Sequence, residues 1–171
     1  MPYFSYLPTI LYDPTGDGTA KLATNIMSRV RVRANMKKEI IMLDPYNVKE
    51  NETPEIVADK HHGSTDYHWI VMLMNDISDV NHDWVKSTRQ LQKFLLDKYT
   101  EAQLTETHHY EVYQTSGDTT IKIEVENSSY PSASIVTNYE YEVALNDGKR
   151  EINLLRNEYL GFFVDEFQNL V

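Results

Sequence analysis

The sequence predicts an α+β fold: a small sheet with two packed helices, an extended N-terminal arm, and a C-terminal hairpin-and-helix extension. Three observations predict it. Residues 52–75, ETPEIVADKHHGSTDYHWIVMLMN, punctuate two short helices around one glycine. Apolar alternation recurs on either side of Ser116-Gly117-Asp118, the pattern of a hairpin. Prolines and glycines are interspersed with aromatics over the first 24 residues, with no sustained period. These observations divide the chain into an arm over 1–24, a core over 25–100 and a C-terminal hairpin with amphipathic helices over 101–171.

The arm carries Pro2, Pro8, Pro14, Gly16 and Gly18. Its apolar members Tyr3, Phe4, Tyr6, Leu7, Ile10, Leu11 and Tyr12 are costly to leave in water, so they are expected to lie on the chain's own core or on a neighbouring subunit. From Ile26, Val30 and Val32 alternate with Arg31 and Arg33, predicting a half-buried strand with a basic outer face. After the polar patch Asn35 to Glu39, the run Ile40 to Leu43 fits a short buried strand ending at Asp44-Pro45.

In the helix pair, Thr53 caps the first helix, Pro54 fits its first turn, and Gly63 supplies the left-handed residue that ends it. Ser64, Thr65 or Asp66 starts the second, where Trp69, Ile70, Leu73 and Met74 recur on one face. Asn75 then either satisfies freed carbonyls at the helix end or hydrogen-bonds an amide-bearing sugar. A loop over 76–86 contains Ile77, Val80, Trp84 and Val85. Ser87 to Gln90 has capping-box spacing ahead of Leu91, Phe94, Leu95 and Tyr99.

Tyr110 and Val112, then Ile121, Ile123 and Val125, form the hairpin. Thr137 to Glu140 is a second capping box, opening a helix with Tyr141, Ala144 and Leu145 on one side and Gly148 near its end. Ile152, Leu154 and Leu155 fit strand or helix. Asn157 is read as the cap of a last helix whose stripe is Leu160, Phe163, Val164 and Phe167. The hairpin and this helix lie far along the chain from the small sheet, so they are expected to seek a partner surface.

Composition narrows the function. With 16 Lys and Arg against 26 Asp and Glu, the net charge of -10 repels a phosphate backbone, so no nucleic-acid partner is expected. Cysteine is absent, which removes disulfides, thiolate metal sites and a cysteine nucleophile. No apolar run reaches the ~20 residues of a bilayer-spanning helix, and the start lacks a basic-then-apolar leader, so the chain is expected to be soluble, not exported and without a membrane partner. Twelve tyrosines against five Phe and two Trp suit surfaces buried in a complex and wet when free, or the rim of a small core.

Six histidines, among them His61, His62, His68, His108 and His109, show no HExxH-type signature, and the first pair suits the negative end of a helix. The acidic residues have simpler tasks in capping and solubility, and no Gly-x-Ser-x-Gly turn or phosphate loop is present. No catalytic residue, metal or cofactor is expected.

Thr53-Pro54-Glu55-Ile56-Val57-Ala58, then Gly63, Tyr67-His68-Trp69-Ile70, Leu73-Met74-Asn75 and Asp83-Trp84 together resemble the LysM-like core of the baseplate wedge protein 53 family of contractile-tailed, T-even-like bacteriophages. The likeness extends upstream over Asn25-Ile26 and Arg29 to Arg33, and downstream over Leu91 to Tyr99 and Lys149 to Phe167. His62 stands where the pattern usually has Tyr, and Val85 where proline is common.

The resemblance implies a LysM-like sheet and helix pair within a structural virion protein, assembled in the host cytoplasm. That protein joins neighbouring baseplate wedges around the hub, touching other wedge proteins and, among candidates, the sheath initiator. Its docking motif would be Pro54, Ile56, Ala58, Gly63, Tyr67, Trp69, Ile70, Leu73, Asn75 and Trp84, with partner contacts at Tyr3, Phe4, Tyr6, Tyr12, Leu160, Phe163 and Phe167. The alternative is a LysM-type module for N-acetylglucosamine-containing glycans, with its groove between Asn51 to Thr53 and Asn75 to Asp79.

Overall fold

The computed structural model describes residues 3–28, 30, 32, 40–127 and 129–171. Among them a 3-10 turn at Tyr3–Tyr6 leads to β1 (Thr9–Tyr12) and β2 (Lys21–Thr24). A second 3-10 turn, Ile40–Met42, runs into β3 (Leu43–Asn47). Helices α1 (Pro54–His62), α2 (His68–Met74), α3 (Val80–Asp83), α4 (Thr88–Lys98) and α5 (Glu101–Leu104) follow. Then come β4 (Thr107–Tyr113), β5 (Lys122–Val125), β6 (Ser134–Thr137), α6 (Asn138–Gly148), β7 (Glu151–Leu155) and α7 (Asn157–Leu170). The fold class is α+β, with all three small sheets antiparallel.

The chain forms two compact units. One is discontinuous, joining 1–84 to 151–171, and the other is the insertion 85–150. This grouping differs from the three consecutive segments read from the sequence. In the discontinuous unit β3 pairs with β7, Leu43 opposite Leu155 and Asn47 opposite Glu151, and α2 packs on β7. Leu43, Trp69, Ile70, Met74, Leu155, Phe163 and Phe167 form its apolar core. Each such side chain contributes about 1.5–3 kcal/mol by leaving water.

Four expectations need correction here. The terminal helix does not lack a home: Phe163 and Phe167 of α7 are buried against Trp69, the Trp69 and Phe167 rings 4.6 Å apart. Tyr3 and Tyr6, also named as partner contacts, lie on this chain's own core, the first of the two places expected for the arm, at 5.6 and 5.7 Å from the Trp69 ring. Their short helical turn carries Leu7 into the interior as well. The strand after Ile40 does not stop at Asp44-Pro45 but runs through them to Asn47. The cap of α7 is Arg156, without a side-chain bond, and Asn157 is the first helical residue.

Val30 and Val32 are half-buried against the core, but neither lies in the strand their alternation predicts. Arg29, Arg31, Arg33 and the patch 35–39 fall outside the described residues.

The inserted unit starts with α4, whose capping box between Ser87 and Gln90 forms as its spacing predicts. A second box, Thr100 with Gln103, opens α5, a turn that the sequence reading passed over. The hairpin also forms: β4 pairs with β5, Tyr110 opposite Val125 and Val112 opposite Ile123, and β6 adds on the other side of β4. Helix α6 has its predicted capping box at Thr137. Its buried residues are Glu142 and Asn146 rather than Ala144 and Leu145, which are exposed. Burial of these polar side chains is offset by hydrogen bonds. Glu142 accepts from Lys98 Nζ at 2.6 Å and Tyr99 Oη at 2.9 Å. Asn146 takes the Lys86 N–H at 2.8 Å and donates to its carbonyl at 3.0 Å.

Candidate docking surfaces

The predicted helix pair is present and locally specified. Thr53 caps α1 by accepting from Ile56 N, Pro54 sits in its first turn, and Gly63 ends it at φ 74° with its N–H on the Asp59 carbonyl. A Cβ at that φ is strained, so glycine is the residue the turn requires. Ser64 then caps a 3-10 turn, Thr65–Tyr67, that feeds α2. Pro54, Ala58, Trp69 and Ile70 are buried, and Tyr67 and Leu73 are half-buried against the core. Ile56 points outward, leaving Val57 and Ala58 as the buried residues of that turn.

Asn75 binds only main chain of its own unit. Its amide nitrogen donates to Val71 O at 2.8 Å and Asn153 O at 2.9 Å, and its oxygen accepts from Asn153 N at 2.8 Å. Both polar main-chain groups of Asn153 therefore turn away from β3, so Pro45, opposite it, needs no N–H. Trp84 is buried and donates from Nε1 to Glu52 O at 2.7 Å, fixing the loop between β3 and α1.

Glu52 itself is buried and accepts from Tyr46 Oη and Lys49 N, each at 2.8 Å, and from Lys60 Nζ. Burial pushes its carboxyl pKa up, but the bonds from Lys60, Lys49 N–H and Tyr46 together hold it below the usual range. The same burial and the adjacent carboxylate push the Tyr46 phenol up to about 12. The other loop is equally occupied with itself: Asp83 accepts from Ser78 N and Asp79 N, and Asp79 from Asn81 N. Pro45 to Asn47 and Glu151 to Asn153 line a partly open depression on the β3–β7 sheet.

At the far end of α1, His61 Nε2 meets Leu155 O at 3.0 Å, and His62 Nδ1 meets Asn157 Oδ1 at 2.8 Å. Asn157 Nδ2 donates back to His61 O at 2.7 Å. Because Asn157 offers an oxygen to His62, Nδ1 is the protonated nitrogen. Nε2 is then an acceptor, buried without a partner among the described residues. Burial accordingly pulls the His62 pKa below its ordinary value. Among the described residues no group of three His, Cys, Asp or Glu is placed to hold a metal ion.

Among the described residues two sheet surfaces are open. In the β1–β2 hairpin Leu11 faces Leu22 and Ile10 faces Ala23, and Leu11, Leu22 and Tyr12 are exposed, as is Phe4 before them. In the β5–β4–β6 sheet one face collects Tyr110, Val112, Ile123, Val125 and Ile135, with Ile121 two residues before Ile123. The opposite face carries Glu111, Lys122 and Glu124, with a 3.0 Å ion pair between the first two. Of the expected partner contacts, then, Phe4 and Tyr12 are exposed, Leu160 is half-buried, and Tyr3, Tyr6, Phe163 and Phe167 belong to the chain's own core. The apolar sheet face was missed in the sequence because the hairpin was read without its third strand, whose Ile135 and Val136 sit beside a Pro-Ser loop.

Exposed apolar faces on small sheets mark sites of contact with other molecules. The family model for base plate wedge protein 53 matches residues 18–133, more than half of the chain, and the chain belongs to that family. No curated protein matches it. The family is one of structural baseplate proteins, so this chain is a structural virion protein of the phage tail baseplate and works among other baseplate proteins. No helix among the described residues is long and apolar enough to cross a membrane.

Proposed function

We propose that this chain joins adjacent wedges of a contractile-tail baseplate around the hub. The observation that carries this reading is a pair of apolar sheet faces: exposed apolar side chains gather on the β1–β2 and β5–β4–β6 sheets, while Asn75, Trp84 and Glu52 are bonded within the chain. The helix-pair core, which we read as LysM-like, serves as the rigid body. The β1–β2 hairpin of the arm and the β5–β4–β6 sheet grip neighbouring chains. Several weak contacts of this kind stabilise a ring because each makes the next effectively intramolecular. Other wedge proteins and the sheath initiator are the partners proposed.

The glycan reading draws no support from the two loops, whose Glu52, Asn75 and Asp79 side chains are bonded within the chain. Size measurement of the purified chain, alone and mixed with the other wedge proteins, tests the proposal. Co-elution with at least one wedge protein is expected. A chain that joins none of them would overturn it.

A further inference from the structure

We propose that the open face of the β5–β4–β6 sheet receives the β1–β2 hairpin of a second copy of this chain. The inference deepens the wedge-joining reading and rests on it only for its place in the particle. An antiparallel sheet with strict alternation encodes one buried and one solvated face. Here the charged side of that alternation meets solvent through Lys122 and Glu124, with Glu111 half-buried and paired to Lys122. The apolar side meets solvent too, with Ile121, Ile123 and Ile135 at 48%, 43% and 56% exposure. The alternation therefore specifies a second layer over Ile121, Ile123 and Ile135, while Tyr110, Val112 and Val125 of the same face are half-buried.

The hairpin has the complementary need. A two-stranded hairpin is marginal alone in water, yet β1 and β2 expose Leu11 at 74% and Leu22 at 71%. Those two residues share a face with Thr9 and Thr24, so that face carries no charge. The receiving face, Tyr110, Val112, Ile123, Val125 and Ile135, carries none either. In a chain of net charge -10, copies repel over most of their surface, and a contact between two uncharged faces is the arrangement that escapes this cost.

Dimensions agree. With strands ~4.8 Å apart and ~3.4 Å per residue, the hairpin covers roughly 10 by 13 Å and the sheet face roughly 14 by 13 Å. The hairpin would lie as a second layer about 10 Å above the sheet. Such a contact buries well under the ~1,200 Å² of a standard interface, so it forms when neighbouring contacts hold copies together and does not make a stable dimer alone. Each copy carries one hairpin and one receiving face, which makes the contact head-to-tail and able to run from copy to copy.

The absence of native cysteine makes disulfide trapping clean. Leu11→Cys and Ile123→Cys chains, one of them isotope-labelled, are mixed at high concentration and oxidised. The Leu11–Ile123 cross-link is expected to form at least about tenfold faster than that between Leu11→Cys and Leu145→Cys, whose α6 residue is equally exposed. Adding Leu22→Glu to the Leu11→Cys chain should abolish the excess. Equal rates for the two pairs overturn the proposal. So does a Leu11→Cys/Ile123→Cys double variant that closes within one chain as a disulfide-bonded monomer. Trapping reads contact between copies alone, so its failure is distinct from failure to join wedge proteins.

Discussion

Asn75 holds the backbone of Asn153 as a neighbouring strand would, accepting its N–H at 2.8 Å and donating to its carbonyl at 2.9 Å. One side chain thereby occupies the outer edge of β7 and ties the end of α2 to it. Asn146 treats Lys86 the same way in the inserted unit. Replacing Asn75 by Ala leaves these groups to water and should cost about 1–2 kcal/mol in urea unfolding. Asn75→Asp should cost more, because it points a second acceptor at the carbonyls of Val71 and Asn153. Unchanged midpoints in both variants would show that the clasp contributes nothing.

Glu52 links folding to acid. Its folded-state pKa lies below the usual carboxylate range, so its contribution is present above the unfolded value near 4.5 and is lost as pH falls through the folded one. Glu52→Gln should lower stability at pH 7 by about 1–3 kcal/mol and flatten the decline below pH 4.5. Parallel acid limbs in the two proteins would contradict the assignment. Lys60 is half-exposed, so Lys60→Met should have the smaller effect.

His62 acts in the next window up. Its folded pKa is depressed from 6.5, so the neutral form is favoured in the fold; stability is full above pH 6.5 and declines as pH falls toward the folded value. His61 and Tyr67 are its ring neighbours, and charging His62 would set it against His61. Urea midpoints measured from pH 7.5 to 5 should fall for the native chain and stay flatter for His62→Gln. An identical slope in the variant would assign the effect elsewhere.

Two phenylalanines of α7 separate core from surface. Phe167→Ala should destabilise by about 3–5 kcal/mol, since that ring is buried against Trp69. Phe162 is 65% exposed, and Phe162→Ala should change stability by no more than about 0.5 kcal/mol. Thermal unfolding of the two variants checks this; similar losses would mean that α7 is not seated as described.

Local grammar carried most of what the sequence revealed. Thr53, Gly63, Ser87 and Thr137 set helix ends through bonds within four residues, and Gly117 sits in its hairpin turn, so short windows contain the cause. The pairing of β3 with β7 is different in kind. Leu43 finds Leu155 across a whole inserted unit, and no periodicity reports a partner so distant. That pairing gives the terminal helix its home and moves Phe163 and Phe167 inside. Glu142 and Asn146 were illegible for another reason: a buried polar side chain is explained only by its partners, Lys98, Tyr99 and Lys86, which sequence does not place. On the candidate surface, Phe4 and Tyr12 were read from the aromatic arm, whereas the apolar sheet face needed the register of β6.

The inserted unit also sets a timetable. Residues 85–150 are contiguous and are synthesised before β7 and α7, so their unit can close while the other still lacks a strand and a helix. Until residues 151–171 leave the ribosome, Trp69 and Ile70 wait without the wall formed by Leu155, Phe163 and Phe167. A premature stop near the end of the message would therefore leave the earlier-made half unfinished and sticky, whereas the later-made insertion would emerge intact.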